Sequence, residues 1–239
     1  MEGPASGWRS LGELDRTAGT SDPYSVSAAL AAELDDCPAG PHAVHTLRSL
    51  TRELIWSQSA SILLTGQGAA FTAEQWMVAG VGAGPGSIRH GLLSEAAGPV
   101  QPGAAADTVV AVVTPLVEAI REQTRVGRRT LWSYVVDTAT LAMVVLARQL
   151  GRDRVADWQV AQEWAGQLFA AGVPELSRPQ LVRYGDSDRD IWAVRGACCL
   201  DFKDPHHGFC LTCPVLDHGD RARRWAASDL ATPPPSAAR

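Results

Sequence analysis

Four of the five cysteines in this 239-residue chain stand in one stretch, CCLDFKDPHHGFCLTC, at Cys198, Cys199, Cys210 and Cys213. The pattern is an adjacent pair, a loop, and a second pair of the C-x-x-C form. Four thiolates together can hold a tetrahedral zinc or the two irons of a 2Fe–2S centre. Disulfides would need an oxidising compartment, and the opening MEGPASGWRSLGELDRTAGT lacks the apolar run of a secretory signal. CLTC is an ordinary chelating loop. The adjacent pair is less usual, because neighbouring side chains on a strand point to opposite faces. For both to reach one centre the chain must bend sharply, and Gly196 offers the backbone freedom to do so. Spacing alone leaves iron–sulfur and zinc both open.

Other candidates carry less chemistry. His206 and His207 lie in the DPHHG turn between the pairs, and a histidine can replace a thiolate at a Rieske-type centre. Four cysteines already fill four positions, so the turn reading is preferred. Cys37 stands alone before Pro38 and reads as a small apolar residue. GVGAGPGS, residues 80–87, imitates a dinucleotide fingerprint, but its glycines miss the required spacing and a helix-like stretch precedes it. No nucleotide site follows from it. RRTLWSY puts Arg129 near Trp132, a cation and an aromatic that could line a ligand pocket, although core packing is the usual fate of such a tryptophan. A G-x-S-x-G nucleophile elbow is absent.

The elements that must position these residues are mostly helices. Residues 25–37 have helical apolar spacing. Residues 41–64 open on Pro41 and repeat apolar side chains at Val44, Leu47, Leu50, Leu54 and Ile55. Thr72 reads as the N-cap of a short helix, and residues 80–103 as a Gly/Pro-rich connection with a short turn or strand near residues 88–93. Thr114 and Pro115 read as the cap and first turn of another helix, broken by Gly127. Helices over 128–150 and 153–172 follow. A hairpin of residues 180–184 and 191–194 then leads into the cysteines, and Asp217 starts a closing helix. The fold class expected is α+β and mostly helical: a bundle-like body with a C-terminal β-hairpin and metal-cluster module. Residues 1–24 read as a flexible start, 25–175 as the helical region, 176–230 as the cysteine module and 231–239 as a disordered tail. The net charge of −5 shows no basic excess for nucleic acid. The uninterrupted apolar runs, near 109–113 and 141–147, are too short to cross a bilayer.

The stretch VRGACCLDF…CLTCP resembles the C-terminal signature of the FhuF-like siderophore-iron reductases. Arg195, Cys198, Cys199, Leu200, Cys210 and Cys213 match that form in type and spacing. The helix containing LWSYVVD is a weaker match. The resemblance covers about the last fifty residues and implies a 2Fe–2S cluster on the four cysteines. It further implies one-electron reduction of a ferric siderophore, of hydroxamate type, in the cytoplasm, with a place at the inner face of the membrane allowed. Residues 25–175 would then bind substrate, with Arg129 and Trp132 as candidate contacts. Arg195 and Lys203 would influence the cluster's potential. Lacking a flavin or nicotinamide motif, the chain would draw electrons from a separate reductase, ferredoxin or flavodoxin. The alternatives are a non-catalytic 2Fe–2S electron carrier and a zinc-stabilised binding module.

Overall fold

A computed structural model describes residues 8–11, 30–31, 34, 39–80, 88–92, 98–175, 178–203 and 208–228. Four long helices form the body: α1 (Ala39–Thr65), α2 (Pro102–Gln123), α3 (Arg128–Gln149) and α4 (Arg154–Ala170). Each of the four packs against the other three. Their apolar faces meet in one core, with Leu47, Leu50, Leu54 and Ile55 from α1 and Val109, Val113, Leu116 and Ile120 from α2. Leu131, Trp132, Val135, Ala139 and Met143 come from α3, and Trp164 and Leu168 from α4. Each such Leu, Ile, Val or Met side chain contributes about 1.5–3 kcal/mol by leaving water. Capping sets the entry to α4, where the Asp153 carboxylate accepts from the Val155 and Ala156 amides.

Small antiparallel sheets complete an α+β architecture. One has strand order β1–β3–β4, from Trp8–Ser10, Trp76–Gly80 and Ile88–Leu92. The short β2 (Gly68–Ala69) pairs with β5 (Pro99–Val100). The Gln58 side chain clamps both backbone groups of Ala69, at 2.6 and 2.9 Å. A Cβ on Gly68 would fall 2.3 Å from Ala105 Cβ, so only glycine allows β2 this close to α2. Near the C-terminus, β6 (Gln180–Arg183) pairs with β7 (Ile191–Val194) in the register Gln180↔Val194, and α5 (His218–Ala226) follows.

Two expectations are corrected. Residues after Thr72 make only a single helical turn, Ala73–Gln75, before entering β3. The strand wins because Trp76–Gly80 is paired on both edges, by β1 and by β4. Second, Thr114 and Pro115 do not start a helix. α2 begins at Pro102, and Pro115 lies inside it. The Thr114 hydroxyl donates to the Val110 carbonyl at 2.7 Å instead of capping. By length and composition alone, α2 and α3 are also long and apolar enough to cross a membrane, while their uninterrupted apolar runs are short. Their apolar faces supply the core described above. The strand near 88–93 is present as β4, and α1, α3, α4, the 180–194 hairpin and the helix after Asp217 lie where periodicity places them. Leu30, Ala31 and Leu34 are helical, as expected for 25–37. Cys37, residues 81–87, His206 and His207 fall outside the described residues.

Candidate functional site: the cysteine loop and the groove beside it

The cysteine loop begins where β7 ends, and α3 determines how it begins. One face of α3 enters the main core through Trp132, Val135, Val136 and Ala139. Another carries Tyr134, Asp137, Thr138 and Leu141, at the three- and four-residue steps that align side chains on a helix. Asp137 is 1% exposed, and its two oxygens accept from the Gly196 and Ala197 amides at 2.8 Å each. That clamp turns the chain just before Cys198. Burial raises the Asp137 pKa to about 7, against the pull of those two amides and of Arg195.

The bend expected at Gly196 is completed elsewhere. Gly196 is not among the left-handed residues, whereas Leu200 has φ 67°. A bulky residue there is strained. Its amide lies 3.3 Å from Cys198 Sγ and donates to it. The Leu200 side chain packs over Gly40, where an added Cβ would meet it at 3.2 Å.

Further threads bind the loop to the rest of the chain. The Arg195 amide donates to the Thr212 carbonyl at 2.9 Å, joining β7 to the CLTC turn. Arg221 of α5 donates to the carbonyls of Cys213 and Leu216. Arg224 donates to the Phe209 carbonyl at 2.9 Å. His45 of α1 contacts Asp201 at 2.6 Å, and Phe202 stacks on Phe209. Trp225 docks α5 on the hairpin, with its ring 5.6 Å from both Trp192 and Tyr184.

Cys198 lies within electrostatic reach of Cys213 and Cys210, and Cys199 within reach of Cys210. Cys199 and Cys210 are 3.9 Å apart, sulfur to sulfur. Two thiolates on one tetrahedral ion, with bonds of about 2.3 Å, lie about 3.8 Å apart. Burial raises the Cys198 pKa, and nearby Cys213 and Cys210 add to the rise. Cys199 donates its proton to Cys210, so its own pKa is raised. The Cys210 pKa is lowered, chiefly through that bond, with help from the Arg195 charge and the Thr212 hydroxyl. Three donors therefore face sulfur: the Leu200 amide on Cys198, the Asp201 amide on Cys199, and Thr212 Oγ1, 3.7 Å from Cys210. Such donors favour thiolate and would suit an anionic iron–sulfur centre. Among the described residues, no group of three or more ligating side chains is closed tightly enough to hold an ion. The donor set and the Cys199–Cys210 separation fit a thiolate-bound metal, zinc or iron alike.

A groove of about 170 Å³ opens beside the loop. Its cations are Arg48, Arg52 and Arg195, and its rings are Trp56, Tyr134 and Trp192. Arg52 lies 5.4 Å from the Trp56 ring centre, and Arg195 5.0 Å from that of Tyr134. Burial opposes the Arg195 charge, but Tyr134, Cys210, Cys199 and Asp137 outweigh it and its pKa is raised. The Tyr134 pKa is raised by burial, against the pull of Arg195 and Arg48. Tyr134 also packs against Cys199, and Thr212 lines the groove while touching Cys210, so one layer of side chains separates groove from thiols.

Arg129 and Trp132 do not line this groove. Trp132 is 1% exposed inside the main core, and Arg129 is exposed in the first turn of α3. The residues sequence reading missed are Tyr134, Asp137 and the stripe Arg48, Arg52, Trp56. That stripe has an i, i+4, i+8 spacing that was there to be read. Lys203 is exposed in the turn after Leu200.

Comparison of the chain with protein-family models, with curated proteins and with solved structures found no match.

Proposed function

We propose that this protein reduces ferric siderophores by one-electron transfer from a 2Fe–2S cluster held by Cys198, Cys199, Cys210 and Cys213, releasing ferrous iron in the cytoplasm. The observation that carries the reading is the convergence of four thiols, with donors facing three of the sulfurs, beside a groove able to hold a ligand. Resemblance to the FhuF-like family supports it from the sequence side. A 2Fe–2S centre supplies single electrons. One electron is what a ferric chelate needs: ferric iron becomes ferrous, its hold on hard oxygen ligands weakens, and the metal leaves.

The roles of the chain's own residues follow from charge and position. Arg195 places a half-buried cation beside Cys210 and Cys199. The Leu200 and Asp201 amides and the Thr212 hydroxyl face sulfur. All four favour the more negative, reduced state of an anionic centre and so raise its potential. Asp137 and Arg221 hold the two ends of the loop to α3 and α5. Electrons come from a separate donor protein, of reductase, ferredoxin or flavodoxin type.

The test mixes anaerobically reduced protein with a ferric chelate and a ferrous-specific trap. The trap removes the weakly held product and draws the transfer forward. The expected result is ferrous iron appearing as the protein reoxidises, with loss of both signals in Cys210→Ser. If no ferric chelate oxidises the protein but a redox protein does so rapidly, the chain is an electron carrier and not a reductase.

A further inference from the structure

We infer that the groove between α1, α3 and β7 binds one anionic aryl arm of the chelate, a catecholate or phenolate–carboxylate ring; this rests on the reductase reading above. Charge is the first reason. Arg48, Arg52 and Arg195 all line the groove, and among the described residues no acidic side chain does. Neither Arg48 nor Arg52 forms an ion pair with a described residue. Unused donors are the second reason. Trp192 is 4% exposed and lines the groove, and its Nε1–H has no hydrogen-bond partner. The Arg195 Nε–H is likewise buried and unpartnered. A buried donor without an acceptor is costly, and these two lie behind the groove wall, so a side-chain shift toward a bound anion is what would satisfy them.

Size and shape narrow the ligand further. A cavity of about 150 Å³ suffices for a benzene ring, and this one measures about 170 Å³. It holds one ring of a chelate and not a whole one. Trp56 and Val145 are half-buried and present apolar surface to the groove, and the buried Tyr134, Trp192 and Leu141 back its wall. A planar ring covers the Trp56 and Val145 surface, whereas a bare phosphate or carboxylate would leave it in water. Planar guanidinium groups suit the paired oxygens of a catecholate or a salicylate-type ring. The groove therefore favours an anionic aryl chelate over the neutral trihydroxamate that the family resemblance alone suggests.

Gallium(III) chelates test this without electron transfer, because gallium is not reduced. Binding to the full-length holoprotein is measured by calorimetry for gallium tricatecholate, a neutral gallium trihydroxamate and free 2,3-dihydroxybenzoate. Gallium tricatecholate should bind roughly ten-fold or more tightly than either, as charge-assisted hydrogen bonds allow. The double variant Arg48→Ala/Arg52→Ala should lose about that factor for the tricatecholate and change the trihydroxamate by less than about two-fold. Thr138→Phe, which fills the groove without touching its charge, should weaken tricatecholate binding too, and it serves if the double variant does not fold. Equal binding of the two chelates, or tricatecholate binding indifferent to these substitutions, overturns the inference. Equal affinity for the free ring would make the groove a site for a free aryl acid and overturn the assignment to a chelate arm. Gallium tricatecholate binding as expected, without reduction of the ferric complex, would remove the reductase reading and leave the groove's ligand class standing.

Discussion

The helical body and the cysteine module are held together in different ways. In the body, α1–α4 bury one continuous apolar core, and most of its side chains are interchangeable in kind. In the module, the described residues form small apolar clusters, around Trp192 and Trp225 and around Tyr134 and Cys199. The rest is directional: Asp137 on two amides, Arg195 on Thr212, Arg221 on Cys213 and Arg224 on Phe209. A small, curved loop cannot bury enough apolar surface to define its shape. Hydrogen bonds with one correct geometry can place four sulfurs, and they do so by borrowing α3 as a rigid edge.

This contrast predicts which damage spreads. Leu116→Ala, at a fully buried site of α2, should cost about 2–5 kcal/mol and unfold body and module together in one denaturant transition. Trp225→Ala should also cost about 3–5 kcal/mol where it acts, because it removes the ring that docks α5 on β7. Its effect should be confined: bound metal is lost while the far-ultraviolet helix signal of α1–α4 persists. A loss of metal and of helix in step would show that the two regions are not separable.

Asp137→Ala comes next. It strips the acceptor from two amides, at about 1–3 kcal/mol for each group left unsatisfied. Asn restores one acceptor oxygen, so Asp137→Asn should recover part of the loss in metal content and urea midpoint. The same residue has a pH signature. Its folded pKa, about 7, is above its ordinary 3.8. Between those values the folded chain holds a proton that the unfolded chain has released, so this group's contribution to stability falls as pH rises and is flat above about 7. Relative to Asp137→Asn, the wild type should lose stability from pH 5 to 7 and then run parallel. Parallel curves throughout that range would mean that Asp137 is already ionised in the folded chain. The smallest effect belongs to Arg224→Ala. This exposed side chain makes one backbone bond and one distant contact with Phe209, so the change should be within about 0.5 kcal/mol.

The same division explains what could be read in advance. Periodicity located α1, α3 and α4, because each repeats apolar residues locally, and turn formers located the 180–194 hairpin. It failed at Trp76–Gly80, whose strand state comes from partners at Trp8–Ser10 and Ile88–Leu92, distant in sequence. It failed at Pro115 because the helix rule for proline is a preference that flanking apolar packing outweighs. The cysteines stood out by type alone. Their clamp did not, because Asp137 lies some sixty residues earlier and looks like any helical carboxylate until α3 is placed against β7. Arg48, Arg52 and Trp56 formed a visible stripe, but nothing local says that this stripe faces Thr212. Arg129 and Trp132 drew attention by sequence proximity, yet helical geometry sends Trp132 into the core and Tyr134 toward the sulfur.

The central claim is the identity of the group on the four cysteines, and metal analysis of anaerobically purified protein tests it most directly. A 2Fe–2S centre on these cysteines makes the protein red-brown, with about two irons and two acid-labile sulfides per chain. Serine at Cys198, Cys199, Cys210 or Cys213 should abolish or badly destabilise the colour, and Cys37→Ser should leave it unchanged. A colourless protein carrying one zinc on those cysteines, or a colour lost with Cys37 and kept without one of the four, would contradict it.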